Sequence, residues 1–324
     1  MPAVNVENAL VLPRVPGVGP SARVRPAREV VAAVPAVEGA GFRVWRPFPG
    51  AVDLHVTDPF LLLDQLGPVE YGPGEAKGAP WHPHRGFETV TYVLDGEISH
   101  HDSNGGGGII AEGDTQWMTA GAGILHDEVP SERALREGGP AHGVQLWVNL
   151  PARLKLTPPR YQAITGGQLT LLTSDDGGAL VRLIAGELGG HSAPGVTHTP
   201  ITYAHVTLSP DARLVVPWNP EYNALAYVLL GQGFVGADER PVGDHELAVL
   251  GAGDAVALRA AARQSGPSAT LEVLLLGGLP IREPIAHYGP FVMNTRAEIL
   301  QAVDDYQAGR LGIIPAVDLG PGAA

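Results

Sequence analysis

The 324-residue chain contains no cysteine. That absence excludes disulfides, zinc–thiolate sites, iron–sulfur clusters and cysteine nucleophiles. Any metal site must therefore use nitrogen and oxygen ligands. Basic residues are scarce as well: 21 Lys and Arg stand against 34 Asp and Glu, for a formal net charge of −13. A duplex DNA binder needs a basic face to displace counterions, so no direct nucleic-acid binding is expected. Long apolar runs are also missing. No span of about 20 apolar residues is present, and the opening MPAVNVENALVLPRVPG lacks a charged start followed by a sustained apolar stretch. The expectation is a cytoplasmic protein without a membrane segment.

What the chain has is glycine, 43 residues, and proline, 30 residues, within a composition that is 44% hydrophobic. This suits many short strands joined by tight turns, with enough apolar material for a core in each of two halves. GFETVTYVLDGEI alternates, with Thr89, Thr91 and Val93 on one face and Val90, Tyr92 and Leu94 on the other. Residues 1–22, rich in Pro, Val and Gly, read as a flexible N-terminal arm. LPARLKLTPPRY, residues 150–161, reads as a linker. Near the end, Thr295 and Glu298 fit a capping box, Ile299, Leu300, Val303 and Tyr306 follow at helical spacing, and Gly309 or Gly312 can stop the helix.

An internal repeat organises the rest. Tyr92-Val93-Leu94-Asp95-Gly96 recurs as Tyr227-Val228-Leu229-Leu230-Gly231, and Glu112-Gly113-Asp114 resembles Ala252-Gly253-Asp254. Two halves of one β-architecture are expected, with boundaries at 23–155 and 156–324.

The chemistry concentrates in the first half. In a strand, residues i and i+2 face the same way. His82-Pro83-His84 thus presents two imidazoles on one face, and His126-Asp127-Glu128 an imidazole and a carboxylate. Brought together by neighbouring strands, they make three nitrogens and one oxygen around a centre. Such a set suits Fe(II), Mn, Co, Ni or Cu(II), with Zn also compatible, and in an octahedral ion leaves roughly two positions for water, O₂ or a chelating substrate. Asp127 is expected to point away. Glu88 shares strand parity with His82 and His84, as a fifth ligand or, in the favoured reading, a supporting acceptor or structural residue. His100 and His101 lie beside the Gly105–Gly108 run and read as loop. Trp117 and Met118 read as core or pocket lining, and Ser103 and Ser131 have no nucleophile setting. Carrying the repeat offsets across places Pro217, Asn219, Gly266 and Ser268 at the ligand positions of the second half. The site is therefore expected once, and His191, His198, His205, His245 and His287 are expected to be structural or exposed.

HPHRGFETVTYVLDGEI, GDTQWMTAGAGILHDEVP and HGVQLWVNLPARLKLTPPRYQ, with DPFLLLDQL before them and EPIAHYGPFVMNTRAEILQAVDDYQAGRLG near the end, resemble the signatures of the pirin family over residues 28–312. The resemblance implies an all-β bicupin: two tandem antiparallel jelly-roll barrels with a C-terminal helix. The first would be the metal-binding cupin domain and the second a degenerate one without ligands. The family's metal residues fall on His82, His84, His126 and Glu128, and its metal is usually iron. Two functions follow. One is O₂-dependent cleavage of a flavonol of the quercetin type, a 2,3-dioxygenase reaction releasing carbon monoxide, with Glu128 as general base. The other is a non-enzymatic, metal- and redox-sensing regulator that binds a protein partner. A barrel merely stabilised by metal is the third reading.

Overall fold

The computed structural model describes residues 4–266 and 268–315. Strands dominate. Three α-helices occur among the described residues, at Leu54–Thr57, Glu132–Glu137 and Arg296–Gln307. None is long and apolar enough to cross a membrane.

The strands form two barrels, each a large sheet folded over a four-stranded one, and the strand ladders of these sheets are antiparallel among the described residues. In the first, the large sheet runs Arg160–Ile164, Thr115–Thr119, Phe87–Asp95, Gly139–Asn149, Phe60–Tyr71, Phe42–Phe48 and Val34–Glu38. Its small sheet runs Ala79–His84, Ile124–Pro130, Glu97–Asp102 and Gly107–Ala111. The second barrel repeats the pattern. Glu246–Leu250, Leu225–Leu230, Leu271–Gly278 and Ile201–Leu208 are neighbours in its large sheet, while Arg213–Pro217, Ala255–Ala260, Gly233–Val235 and Arg240–Val242 form the small one. The tandem jelly-roll architecture implied by the sequence resemblance is the fold.

Alternation explains how the barrels stack. On Phe87–Asp95, the side chains of Val90, Tyr92 and Leu94 enter an apolar layer shared with Leu146, Val148, Tyr203, Tyr227 and Leu274. Each such Val or Leu contributes about 1.5–3 kcal/mol when removed from water. Thr91 and Val93 face the other way, into the lumen of the first barrel. The Tyr92 hydroxyl sits 3.0 Å from His205 Nδ1, and His205 Nε2 lies 2.9 Å from the Glu272 carboxylate. Burial pushes the His205 pKa down to about 4, so its neutral ring accepts from Tyr92 and donates to Glu272. His205 is thus the structural histidine that the sequence suggests.

The repeat is real around Tyr92 and Tyr227, both wholly buried on equivalent central strands, and Gly96 and Gly231 take positive φ (86° and 95°) in the turns that follow. The Gly-Asp match is not equivalent. Asp114 precedes a large-sheet strand, whereas Asp254 precedes a small-sheet one. The positions matched to the ligands must be corrected accordingly. His126 faces His82 across the small sheet of the first barrel, and Val256 faces Val216 in the second. His84 faces Ile124, as Trp218 binds the Asp254 carbonyl. The counterparts of His82, His84, His126 and Glu128 are therefore Val216, Trp218, Val256 and Leu258, not Pro217, Asn219, Gly266 and Ser268. All four belong to the apolar core that fills the second barrel. At these four positions the second lumen presents apolar side chains in place of metal ligands.

Two segments trade places between the halves. Ala27–Ala32 pairs with Glu246–Leu250 of the second barrel, and Arg160–Ile164 pairs with Thr115–Thr119 of the first. Where the sequence suggests a flexible arm, residues 4–22 run along the second barrel. Arg182 Nε donates to the Val4 carbonyl at 2.6 Å, and Val15 is buried and bonded to Thr173. The 150–161 segment is likewise pinned. Lys155 Nζ donates to Gly86 O, Asn149 Oδ1 and Val292 O at 2.8–3.0 Å, and burial pushes its pKa down to about 8.

The chain end returns to the first barrel. Helix Arg296–Gln307 starts on the expected Thr295–Glu298 capping box. Ile299 packs with Leu125, Phe291, Met293 and Leu311, while Leu300, expected on the same apolar stripe, is exposed. Arg85 Nη1 bonds Asp305 at 2.7 Å. Pro290 is thereby brought against the ligand strands.

Candidate metal centre

The first lumen is built where Ala79–His84 and Ile124–Pro130 pair. Their register sets His126 opposite His82 and Ile124 opposite His84, so the i, i+2 rule delivers all three imidazoles to one face. His82 Nδ1 lies 2.7 Å from the Pro80 carbonyl, and His84 Nδ1 lies 3.2 Å from that of Pro290. Each carbonyl can only accept, so each ring carries its proton on Nδ1 and turns a bare Nε2 into the lumen. Those two Nε2 atoms are 3.0 Å apart. Two nitrogens at right angles about a centre roughly 2.1 Å away would be separated by about that distance. His126 is wholly buried, and its Nε2 has no hydrogen-bond partner among the described residues. A buried nitrogen without a partner is costly unless something absent from the protein itself satisfies it. Burial holds His84 and His126 well below the usual imidazole pKa, so both are neutral and able to ligate. The ligand atoms of His82, His84 and His126 all lie within 4.8 Å of one another.

Glu128 falls in a second such group, with His126 and His100. The pairing with Ala79–His84 carries a bulge between His126 and Glu128, which offsets the carboxylate from the three rings. Its Oε1 is anchored: Thr91 Oγ1 lies 2.6 Å away, and Gln116 Nε2 donates to it and, at 2.9 Å, to Thr91 Oγ1. Oε2 has only a 3.5 Å contact with Gln145 Nε2. One oxygen is fixed and the other is free to bind a cation or accept a proton. Thr91 was placed on the correct face by alternation. Gln116 and Gln145 have no signature in the sequence, because an isolated glutamine on a strand carries no spacing signal.

Two sequence expectations need correction. His100 is not in a loop. It lies on strand Glu97–Asp102, is fully buried, and stacks on Tyr161 with centroids 5.1 Å apart. His101 points outward to Asp127 at 2.9 Å, which also turns Asp127 away from the rings as expected. Glu88 is no ligand. It shares its face with Val90 and Tyr92, accepts from Thr119 Oγ1 at 2.7 Å, and meets the His198 backbone of the second barrel. Parity does not carry from His84 to Glu88, because Gly86 turns the chain with φ 92°. Trp117 and Met118 are core residues.

His82, His84 and Glu128 open on a cavity of about 970 Å³, near the upper end of small-ligand pockets. Phe42, Leu62, Leu66, Trp81, Val93 and Trp147 supply apolar and aromatic walls. Arg46, paired with Asp64 at 2.7 Å and with Glu38, forms a polar patch on the same wall.

Two antiparallel jelly-roll barrels, one packed with aliphatic side chains and one enclosing a cluster of imidazoles beside a cavity, define a bicupin with one candidate metal centre among the described residues. The chain belongs to the pirin family: its residues 41–148 match the pirin model, and residues 203–312 match the pirin C-terminal cupin domain. A Pseudomonas aeruginosa protein provisionally named quercetin 2,3-dioxygenase is 42% identical over 274 residues, 84% of this chain and 93% of its own. A tomato (Solanum lycopersicum) pirin-like protein is 41% identical over 276 residues, 85% of this chain and 89% of its own. The crystal structure of a quercetin 2,3-dioxygenase from Acinetobacter baumannii superposes with a TM-score of 0.83 at 37% identity, over 90% of this chain and 99% of that one.

Proposed function

We propose that this protein is an O₂-dependent flavonol 2,3-dioxygenase of the quercetin type. It would work with one divalent metal, Fe(II) foremost, held by His82, His84, His126 and Glu128. The observation that carries the reading is the buried Nε2 of His126, without a hydrogen-bond partner among the described residues, beside the inward-facing Nε2 atoms of His82 and His84, which line a cavity large enough for a flavonol. The names borne by the Pseudomonas and Acinetobacter relatives support the same substrate class.

The bound ion would supply a Lewis acid for the deprotonated 3-oxygen of the flavonol. The protein does the rest. Trp81, Trp147 and Phe42 bind the flat ring system and exclude water. Glu128 Oε2 exchanges between ligand and acceptor roles and takes the proton of the 3-hydroxyl, while Thr91 and Gln116 keep Oε1 in place. Both atoms of O₂ end in the ring-opened ester, and one ring carbon leaves as carbon monoxide.

The test is aerobic loss of quercetin, followed by absorbance with carbon monoxide measured in the headspace. It uses protein loaded separately with Fe(II), Mn(II), Ni(II), Co(II) and Cu(II). Turnover that stops under nitrogen is expected with at least one ion. No turnover with any of the five would overturn the enzymatic reading.

A further inference from the structure

His100 and Asp102 obey the same i, i+2 rule as the two ligand pairs, and their strand pairs directly with the ligand strand. Glu128 lies opposite His100, and His126 lies opposite Asp102. All four side chains thus share one face. His126 Nδ1 sits 3.4 Å from His100 Nδ1. On its other side, His100 Nε2 faces Asp102 Oδ2 at 3.7 Å, and neither atom has a hydrogen-bond partner among the described residues. Asp102 is itself fixed, because its Oδ1 accepts from the backbone N–H groups of Asn104 and Gly106 at 2.7 and 3.0 Å. Neither His100 nor Asp102 is exposed.

This geometry bears on one proton. Between two facing Nδ1 atoms only one can carry hydrogen. If His126 carries it, its Nε2 is bare and can bind a metal. If His100 carries it, the His126 proton moves to Nε2 and the ligand is lost. The buried Asp102 carboxylate favours the first arrangement, since it draws the His100 proton to Nε2 and leaves His100 Nδ1 as an acceptor. His82 and His84 need no such device, because the carbonyls of Pro80 and Pro290 accept from them. His126 has no carbonyl partner, and a histidine–carboxylate pair stands in that place.

We propose that His100, held by Asp102, is a positioning residue that fixes the Nδ1–H tautomer of His126 and thereby raises the affinity of the centre for its metal. The proposal rests on His126 being a ligand, so its test has one arm that needs no metal.

In that arm, nitrogen-15 spectra of the histidine side chains in metal-free protein report which ring nitrogen of His126 is protonated. Nδ1–H is expected in the parent protein and in His100→Asn, whose amide oxygen can accept near the place of Nδ1. A shift toward Nε2–H is expected in His100→Phe, which keeps the ring against Tyr161 but cannot accept. In the second arm, nickel(II) affinity is measured by chelator competition. His100→Phe is expected to bind about 10- to 100-fold more weakly, the range for loss of such outer partners. His100→Asn should recover most of that loss, and Asp102→Asn should weaken binding in the same direction. Melting of each metal-free variant shows that it folds. A His126 Nε2–H tautomer in the parent protein would overturn the proposal. So would a nickel affinity for His100→Phe within about twofold of a parent protein that binds one ion, well below that range. A parent protein that binds no nickel overturns the metal centre instead, and the tautomer spectra still decide the role of His100.

Discussion

Replacing His126 with alanine is expected to leave a folded protein that holds almost no metal and turns over no flavonol. His126 is the ring common to both groups of candidate ligands, and its buried Nε2 has no hydrogen-bond partner among the described residues. Structural zinc sites in zinc-finger peptides bind with about 10–16 kcal/mol, which sets a scale for four protein ligands. A quarter of that is about 3 kcal/mol, or more than about a hundredfold in affinity. Elemental analysis after dialysis against a weak chelator measures the result directly. His101→Ala is the control. His101 sits on the neighbouring strand with its side chain outward against Asp127, so metal content and turnover should match the parent protein. If His126→Ala keeps a full complement of metal, the ion is held elsewhere.

Replacing Glu128 with glutamine is the second large effect. The amide oxygen can still accept from Thr91 and Gln116, so the side chain keeps its place, but the other oxygen becomes an NH₂ that cannot take a proton. At saturating metal, kcat for quercetin should fall by about 10²- to 10⁴-fold, the usual contribution of a general base. KM should change much less, because the aromatic walls are untouched. A kcat within a few-fold of the parent value at full metal occupancy would remove Glu128 from the proton step and leave it only a ligand.

The ligand pairs were legible because a strand has a strict period of two. Two chemistry-bearing residues at that spacing must share a face wherever the strand lies. The same rule also marks His100 and Asp102, yet the neighbouring Gly105–Gly108 run suggested a loop and concealed them. Glu88 shows where the rule stops: one glycine with positive φ between two strands breaks the parity. The repeat locates equivalent strands at Tyr92 and Tyr227, but fixed offsets do not survive a change in loop length: the positions matched to His82 and His84 fall one residue late, and those matched to His126 and Glu128 ten residues late. That the second half carries no HxH or HxE pair is legible. That Val216, Trp218, Val256 and Leu258 fill the second barrel is not.

What the sequence concealed most completely was long-range pairing. Nothing local in Ala27–Ala32 or Arg160–Ile164 says that each joins a sheet in the other half. Pro290 orients His84 through a backbone carbonyl some two hundred residues away in the chain, and a carbonyl has no signature in sequence. Thr91, Gln116 and Gln145 are ordinary polar residues until the barrel closes them around Glu128.

The single centre is tested most directly by diffraction from crystals of the metal-loaded protein, with data collected on either side of the absorption edge of the bound ion. One anomalous peak per chain is expected, in contact with Nε2 of His82, His84 and His126 and with the Glu128 carboxylate. A peak ligated by His100 in place of His82 and His84, a second peak in the Val216–Val256 barrel, or no peak at saturating metal would contradict it.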